Sequence, residues 1–98
     1  QTGNHWLGVD LRHLRGNRFA IGARVTVTAD DGRRQVREVR SGGGYLSQND
    51  LRPLFGLGRS PAPVTVDVRL GQVRWRFAGI APDRYVTLEL DDAHRVER

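Results

Sequence analysis

Apolar residues fall at every second position in five stretches of this chain. Leu7, Val9 and Leu11 alternate with Gly8, Asp10 and Arg12, and Ile21, Ala23, Val25 and Val27 with Gly22, Arg24, Thr26 and Thr28. Val64, Val66, Val68 and Leu70 repeat the pattern, as do Val73, Trp75 and Phe77, and then Val86, Leu88 and Leu90. A strand turns successive side chains to opposite faces, so period-two alternation marks strands with one face buried and one wet. No stretch carries apolar residues at i, i+3, i+4 and i+7 over three turns, as a packed helix needs. The pattern predicts an all-β domain of six to seven short, mainly antiparallel strands. A β-sandwich is the expected architecture. A small barrel is the alternative, because alternation reads the same in both.

Turn residues fit between these strands. Asp31-Gly32 predicts a hairpin between the strand ending near Ala29 and the segment 33–40. Val36 and Val39 are three apart, so strict alternation of apolar residues fails there and a bulge or an edge strand is expected. Gly71-Gln72 suits a type II′ turn, with glycine at the position that needs positive φ. That turn fixes a register in which Leu70 faces Val73, Val68 faces Trp75 and Val66 faces Phe77 on one side. Asp67 then meets Arg76 on the other side, and Arg69 meets Arg74, a like-charge pair that disfavours the sheet unless an anion or an acidic neighbour intervenes. A slip by one residue would turn Trp75 and Phe77 into water, so the register is strongly specified. Phe55 and Leu57 alternate with Gly56 and Gly58 in a short strand that Pro53 confines to an edge or to its own start. The stretches Leu14–Phe19 and Ser41–Asp50 read as loops.

Ninety-eight residues suffice for one domain, expected here to span 1–98 with a core over about 4–90 and a polar tail over 91–98. The first residue is not Met and no apolar leader follows it, which suggests a piece of a longer or processed protein. With no Cys, disulfides, thiol chemistry and Cys-based zinc sites are excluded. All 16 basic residues are Arg and the formal net charge is +5. The exclusion of Lys is more simply compositional than functional, and the 11 acidic residues interleaved with the arginines describe a solvated surface.

The chain carries His5, His13 and His94. Ser47, Asp50 and a histidine could be drawn as a triad, but nothing around Ser47 has the strand-to-helix form of a nucleophile elbow, so no catalytic residues are assigned. The adjacent carboxylates Asp30-Asp31 and Asp91-Asp92 point to opposite faces of a strand and do not form an acid/base pair. Asp30-Asp31-Gly32 reads as turn chemistry. Asp91, Asp92 and His94 lack a further ligand, so no metal and no cofactor are expected. Gly42-Gly43-Gly44 feeds a loop rather than a helix and is read as flexible turn.

The segment chosen for binding is the loop holding Tyr45, Ser47, Gln48, Asn49, Asp50 and Arg52, which combines a ring, amides and both charges where binding residues tend to lie. Its alternative is a purely structural role, with the polar side chains bonding the backbone. Arg24, Arg69, Arg74 and Arg76 all point away from the expected core and could form one cationic face. Trp75 and Phe77 point inward, leaving no rings for base stacking on that face, so nucleic acid is disfavoured as a partner. Trp6 is out of phase with Leu7, Val9 and Leu11 and is expected on the opposite side of its strand.

Five segments in order resemble the ASPIC/UnbV conserved domain: Asn4-His5-Trp6-Leu7-Gly8, Ile21-Gly22-Ala23-Arg24-Val25, Arg37-Glu38-Val39, Tyr45-Leu46-Ser47-Gln48-Asn49-Asp50 and Phe55-Gly56-Leu57-Gly58. The chain departs from that family in having Phe19 where an acidic residue is expected, and in turning through Leu70-Gly71-Gln72 instead of a longer Trp-Pro-Ser-Gly hairpin. The resemblance implies a C-terminal accessory module of FG-GAP or VCBS-repeat propeller proteins, similar to cartilage acidic protein, in an extracellular or cell-surface setting. Bacterial members also occur with enediyne natural-product clusters. It implies docking on a β-propeller of the same parent chain or on another protein. A glycan or a natural product is the alternative ligand, bound at the 45–52 loop.

Overall fold

The computed structural model describes residues 4–13, 20–40 and 52–96. They form two stacked sheets with strands β1 (His5–Arg12), β2 (Arg24–Thr28), β3 (Arg34–Glu38), β4 (Leu54–Gly58), β5 (Val64–Leu70), β6 (Val73–Ile80), β7 (Arg84–Glu89) and β8 (Arg95–Val96). One sheet has the order β4-β1-β7 and the other β3-β2-β5-β6-β8, so the architecture is the expected sandwich and not a closed barrel. All pairings are antiparallel except β1 with β7, which run in parallel. No helix of the described residues is long and apolar enough to cross a membrane.

The inward phase of both sheets makes one core. Leu7, Val9 and Leu11 of β1 meet Val25, Val27, Val66 and Val68 of the larger sheet, with Phe55, Trp75 and Phe77 filling the same layer. The β5–β6 hairpin holds the register that its turn dictates: Leu70 opposite Val73, Val68 opposite Trp75, Val66 opposite Phe77. Gly71 has φ +64 while Gln72 is not among the residues of positive φ, the combination that a type II′ turn requires. Beyond Phe77 an extra residue enters β6, where Gly79 has φ +71, and Ile80 comes back into phase with the core opposite Val64.

Two expectations are corrected, and the edge expected for the third strand is found. Ile21 does not start the second strand: it sits 40% exposed in a turn closed by the Ala23 N–H donating to the Ala20 carbonyl oxygen, and β2 begins at Arg24. Gly22, at φ +95, carries that turn. The edge position foreseen for β3 is found, but its register with β2 is unbroken and no bulge explains Val36. Val36 faces outward, half exposed, and Gln35, Arg37 and Val39 take the inward phase. Polar residues are tolerated there because they seal the open side of the sandwich. The Gln35 amide donates to the Gly56 carbonyl oxygen of β4, and the Arg37 guanidinium lies 5.6 Å from the Phe55 ring centre.

The second correction is at the end of the described residues. Residues 91–96, expected as a polar tail, form a 3-10 turn over Asp92–His94 and then β8, which pairs with Trp75 and Arg74 of β6. Asp91 caps the turn, accepting from the His94 backbone N–H at 3.1 Å and from its ring Nδ1 at 2.8 Å, while the ring stacks 4.5 Å from Phe77. The hydrogen bond from the His94 ring, followed by that from its backbone, holds the Asp91 carboxyl below the ordinary carboxylate range. A carboxyl whose pKa is depressed by folding adds stability above its unfolded value, and that stability is lost as pH falls through the folded value. Asp91→Asn should therefore lower the melting temperature by a few degrees at pH 6. The gap from the unaltered chain should narrow as pH falls below the ordinary value of 3.8. Thermal melts of both chains at pH 6 and pH 3 check this; an unchanging gap would show that the carboxylate charge has no part in the cap.

Candidate functional site

The outer face of the smaller sheet carries an apolar surface that its register builds. Across β4, β1 and β7, Leu54, Gly8 and Tyr85 stand in one row, and Gly56 and Trp6 in the next. The large side chains thus flank glycines. Tyr85 lies directly over Gly8, where an added Cβ would run into its ring, and its edge meets Trp6 with ring centres 5.3 Å apart and planes at 68°. Edge-to-face packing of this kind adds about 0.5–1.5 kcal/mol beyond area burial. Leu54 and Tyr85 are half exposed and Trp6 is 36% exposed. Together with Gly56 they surround an open hollow of about 390 Å³.

Arg52 braces the Tyr85 ring, and Asp83 fixes the Trp6 backbone. Arg52, just ahead of β4, places its guanidinium 5.6 Å from the Tyr85 ring centre. Asp83, in a left-handed conformation at φ 66, donates its backbone N–H to the Trp6 carbonyl oxygen and accepts from the Trp6 backbone N–H at 3.4 Å. The second Asp83 oxygen pairs with His5 Nδ1 at 2.7 Å. Trp, Tyr and Arg are the side chains that dominate binding energy at protein interfaces, and a ring pinned before contact loses little entropy when it docks.

Of the residues chosen from sequence, Arg52 belongs to this surface. Tyr45, Ser47, Gln48, Asn49 and Asp50, and with them Gly42-Gly43-Gly44, lie outside the described residues. Trp6 is on the outer side of β1, as its phase requires. Leu54, Gly8, Gly56 and Tyr85 were not picked out. The signal was available, since Trp6-Gly8 and Leu54-Gly56 share the outward phase of their strands. Recognising it needed the β1–β4 and β1–β7 registers, and the parallel partner of β1 is not legible in an alternating pattern.

The four arginines of the expected cationic face do share the outer face of the larger sheet. Arg24 is opposite Arg69, Arg69 opposite Arg74, and Arg76 opposite Asp67. The other candidates are dispersed: His5 pairs with Asp83, His94 with Asp91, and His13 packs its ring edge-on to Trp75 at 5.7 Å. Asp31 holds the Arg33 backbone N–H and Nε, both at 3.0 Å, and the backbone bond foremost keeps its carboxyl below the ordinary range. Asp30 accepts from Ser60 at 3.1 Å. Among the described residues no group of three or more His, Cys, Asp or Glu is placed to hold a metal.

The fold and this surface define a small β-sandwich that offers a pre-set aromatic face. A family profile described as ASPIC and UnbV matches residues 13–95, and the chain belongs to that family. Membership makes it an accessory domain of a larger protein. No curated relative and no solved structure matches the chain. β1, the central strand of the smaller sheet with Trp6 and Gly8, lies ahead of the matched residues.

Proposed function

We propose that this domain is a non-catalytic docking module that packs the outer face of its smaller sheet against another folded domain of the parent chain. In this reading the partner is a β-propeller, and the parent protein is exported or held at the cell surface. The observation that carries it is the Trp6–Tyr85 pair with Leu54 around the hollow over Gly56, an outward-facing apolar surface whose Tyr85 ring rests on Gly8 and is braced by Arg52. Exposed apolar patches rimmed by polar groups mark interaction surfaces, and Gly56 among large side chains leaves a hollow for a partner's side chain.

The test is Tyr85→Glu combined with Leu54→Arg in the full-length parent protein. Losing two central contacts should weaken docking by about 2 kcal/mol or more, roughly thirtyfold in the docking equilibrium. Small-angle scattering should show a larger radius of gyration, and the segment joining the domains should be cut faster by protease. An unaltered radius and an unaltered cleavage rate would reject the proposal.

A second reading has one observation in its favour. Arg52 ends the loop chosen for ligand binding and stands against Tyr85, so a glycan or natural product held by that loop could reach the same rings. Quenching of Trp6 fluorescence by such a compound, in a chain whose docking survives the double substitution, would favour it over docking.

A further inference from the structure

We propose that the outer face of the larger sheet binds a linear anionic polysaccharide, one bearing sulfate or carboxylate groups, along a row of three arginines that crosses the strands. Arg24 of β2, Arg69 of β5 and Arg74 of β6 are direct neighbours in register. Strands lie about 4.8 Å apart, so three cationic side chains stand in line over about 10 Å. Like charges directly opposite one another destabilise a sheet, and a polyanion laid along the row converts that repulsion into attraction.

Among the described residues the row is only partly neutralised, by Glu38 at its β3 end. Asp67, in the adjoining row, accepts from Arg76 Nε at 2.8 Å and is already engaged. Arg69 Nε donates to the Gly71 carbonyl oxygen at 3.2 Å, a neutral acceptor. Among the described residues Arg24 and Arg74 make no ion pair, although Glu38 closes the row opposite Arg24 and shares its charge with Arg40 at 3.8 Å. The arginines border a shallow cleft of about 300 Å³ whose floor includes Thr26 and Thr28.

The chemistry of the face selects the kind of polyanion. Arg presents a planar fork that engages sulfate or carboxylate through two parallel bonds. The threonine hydroxyls add donors and acceptors suited to a ligand rich in hydroxyls. Single-stranded nucleic acid would need rings to stack its bases, and Trp75 and Phe77 are both buried on the opposite side of β6. A flat row perpendicular to the strands also fits an extended chain with regularly repeated charge better than the irregular acidic surface of a folded protein.

Dextran sulfate and polygalacturonate are the probes, with neutral dextran, single-stranded DNA and polyglutamate as the other arms, measured by calorimetry on the whole chain at several salt concentrations. Both acidic polysaccharides should bind and neutral dextran should not. Replacing Arg24, Arg69 and Arg74 together by Ala should weaken binding at least tenfold, and the dependence of log affinity on log salt should flatten by close to one for each ionic contact removed. A second variant with Lys at all three positions keeps the charge and the fold. It should retain the salt dependence yet lose several-fold in affinity, because the fork is gone. Arg33→Ala, outside the row, serves as the control and should bind as the unaltered chain does. Undiminished binding by the triple Ala variant would overturn the proposal. So would DNA or polyglutamate binding through the same arginines more tightly than dextran sulfate.

Discussion

Phe55→Ala is expected to lower the stability of this domain by about 3–5 kcal/mol, a large share of the 5–15 kcal/mol typical of a small domain. Phe55 is fully buried and heads the largest enclosed side chains. It is delivered by β4, an edge strand that has only β1 beside it, and with Leu57 it ties that edge to the core. Truncation opens a cavity between the sheets and also removes the ring over which Arg37 lies. Phe55→Leu retains most of the apolar volume and should cost well under half as much. Urea unfolding of the three chains measures the difference in midpoint at constant slope. A loss below about 1 kcal/mol for the alanine variant would mean that the core closes without the Phe55 ring. Because Arg52, Leu54 and Gly56 travel with this strand, the same substitution should loosen the aromatic surface as well.

How far the sequence discloses this molecule depends on the range of the interaction concerned. The β5–β6 hairpin is legible to the residue, since a two-residue turn and an alternating pattern leave one register that buries Trp75 and Phe77. Local conformation defeats the same logic at Ile21, where Gly22 in a turn takes the preceding residue out of the sheet although it is in phase with Ala23 and Val25. Along β3, Gln35 and Arg37 hide the inward phase because what they face is an edge, which accepts polar residues that can reach across it. The last strand is two residues long and too short for any period to register; its anchor is the Asp91–His94–Phe77 contact, a tertiary one. The candidate site divides in the same way. The arginine row follows from two registers, one of which can be read from a hairpin, and its members were all named from phase alone. The aromatic surface draws on β1, β4 and β7, strands separated by most of the chain, and so only Trp6 and Arg52 announced themselves.

Gly8→Val should separate the role of the aromatic surface from the stability of the fold. Gly8 is at the middle of the smaller sheet, and its φ is not positive, so its backbone suits a valine. Exchanging a strand glycine for a residue that strands favour contributes about 0.5–1 kcal/mol. The new side chain, however, occupies the place of the Tyr85 ring. Tyr85 is half exposed and can swing outward, at the loss of its contact with Trp6, about 0.5–1.5 kcal/mol, and of the Arg52 contact, about 0.5–1 kcal/mol at an exposed site. The gain offsets part of the loss, so stability should fall by no more than about 2 kcal/mol, while docking of the domain in its parent chain falls as far as removal of the Tyr85 ring would take it. Gly56→Val is the contrasting variant, because a Cβ there meets nothing within 4 Å and leaves the ring pair in place. Near-ultraviolet circular dichroism distinguishes the two: the aromatic bands should collapse partly in the Gly8 variant and persist in the Gly56 variant, with the urea midpoint lowered modestly in the first and not lowered in the second. Aromatic bands that superimpose in all three chains would show that Tyr85 does not rest on Gly8, and the pre-set surface would lose its physical basis.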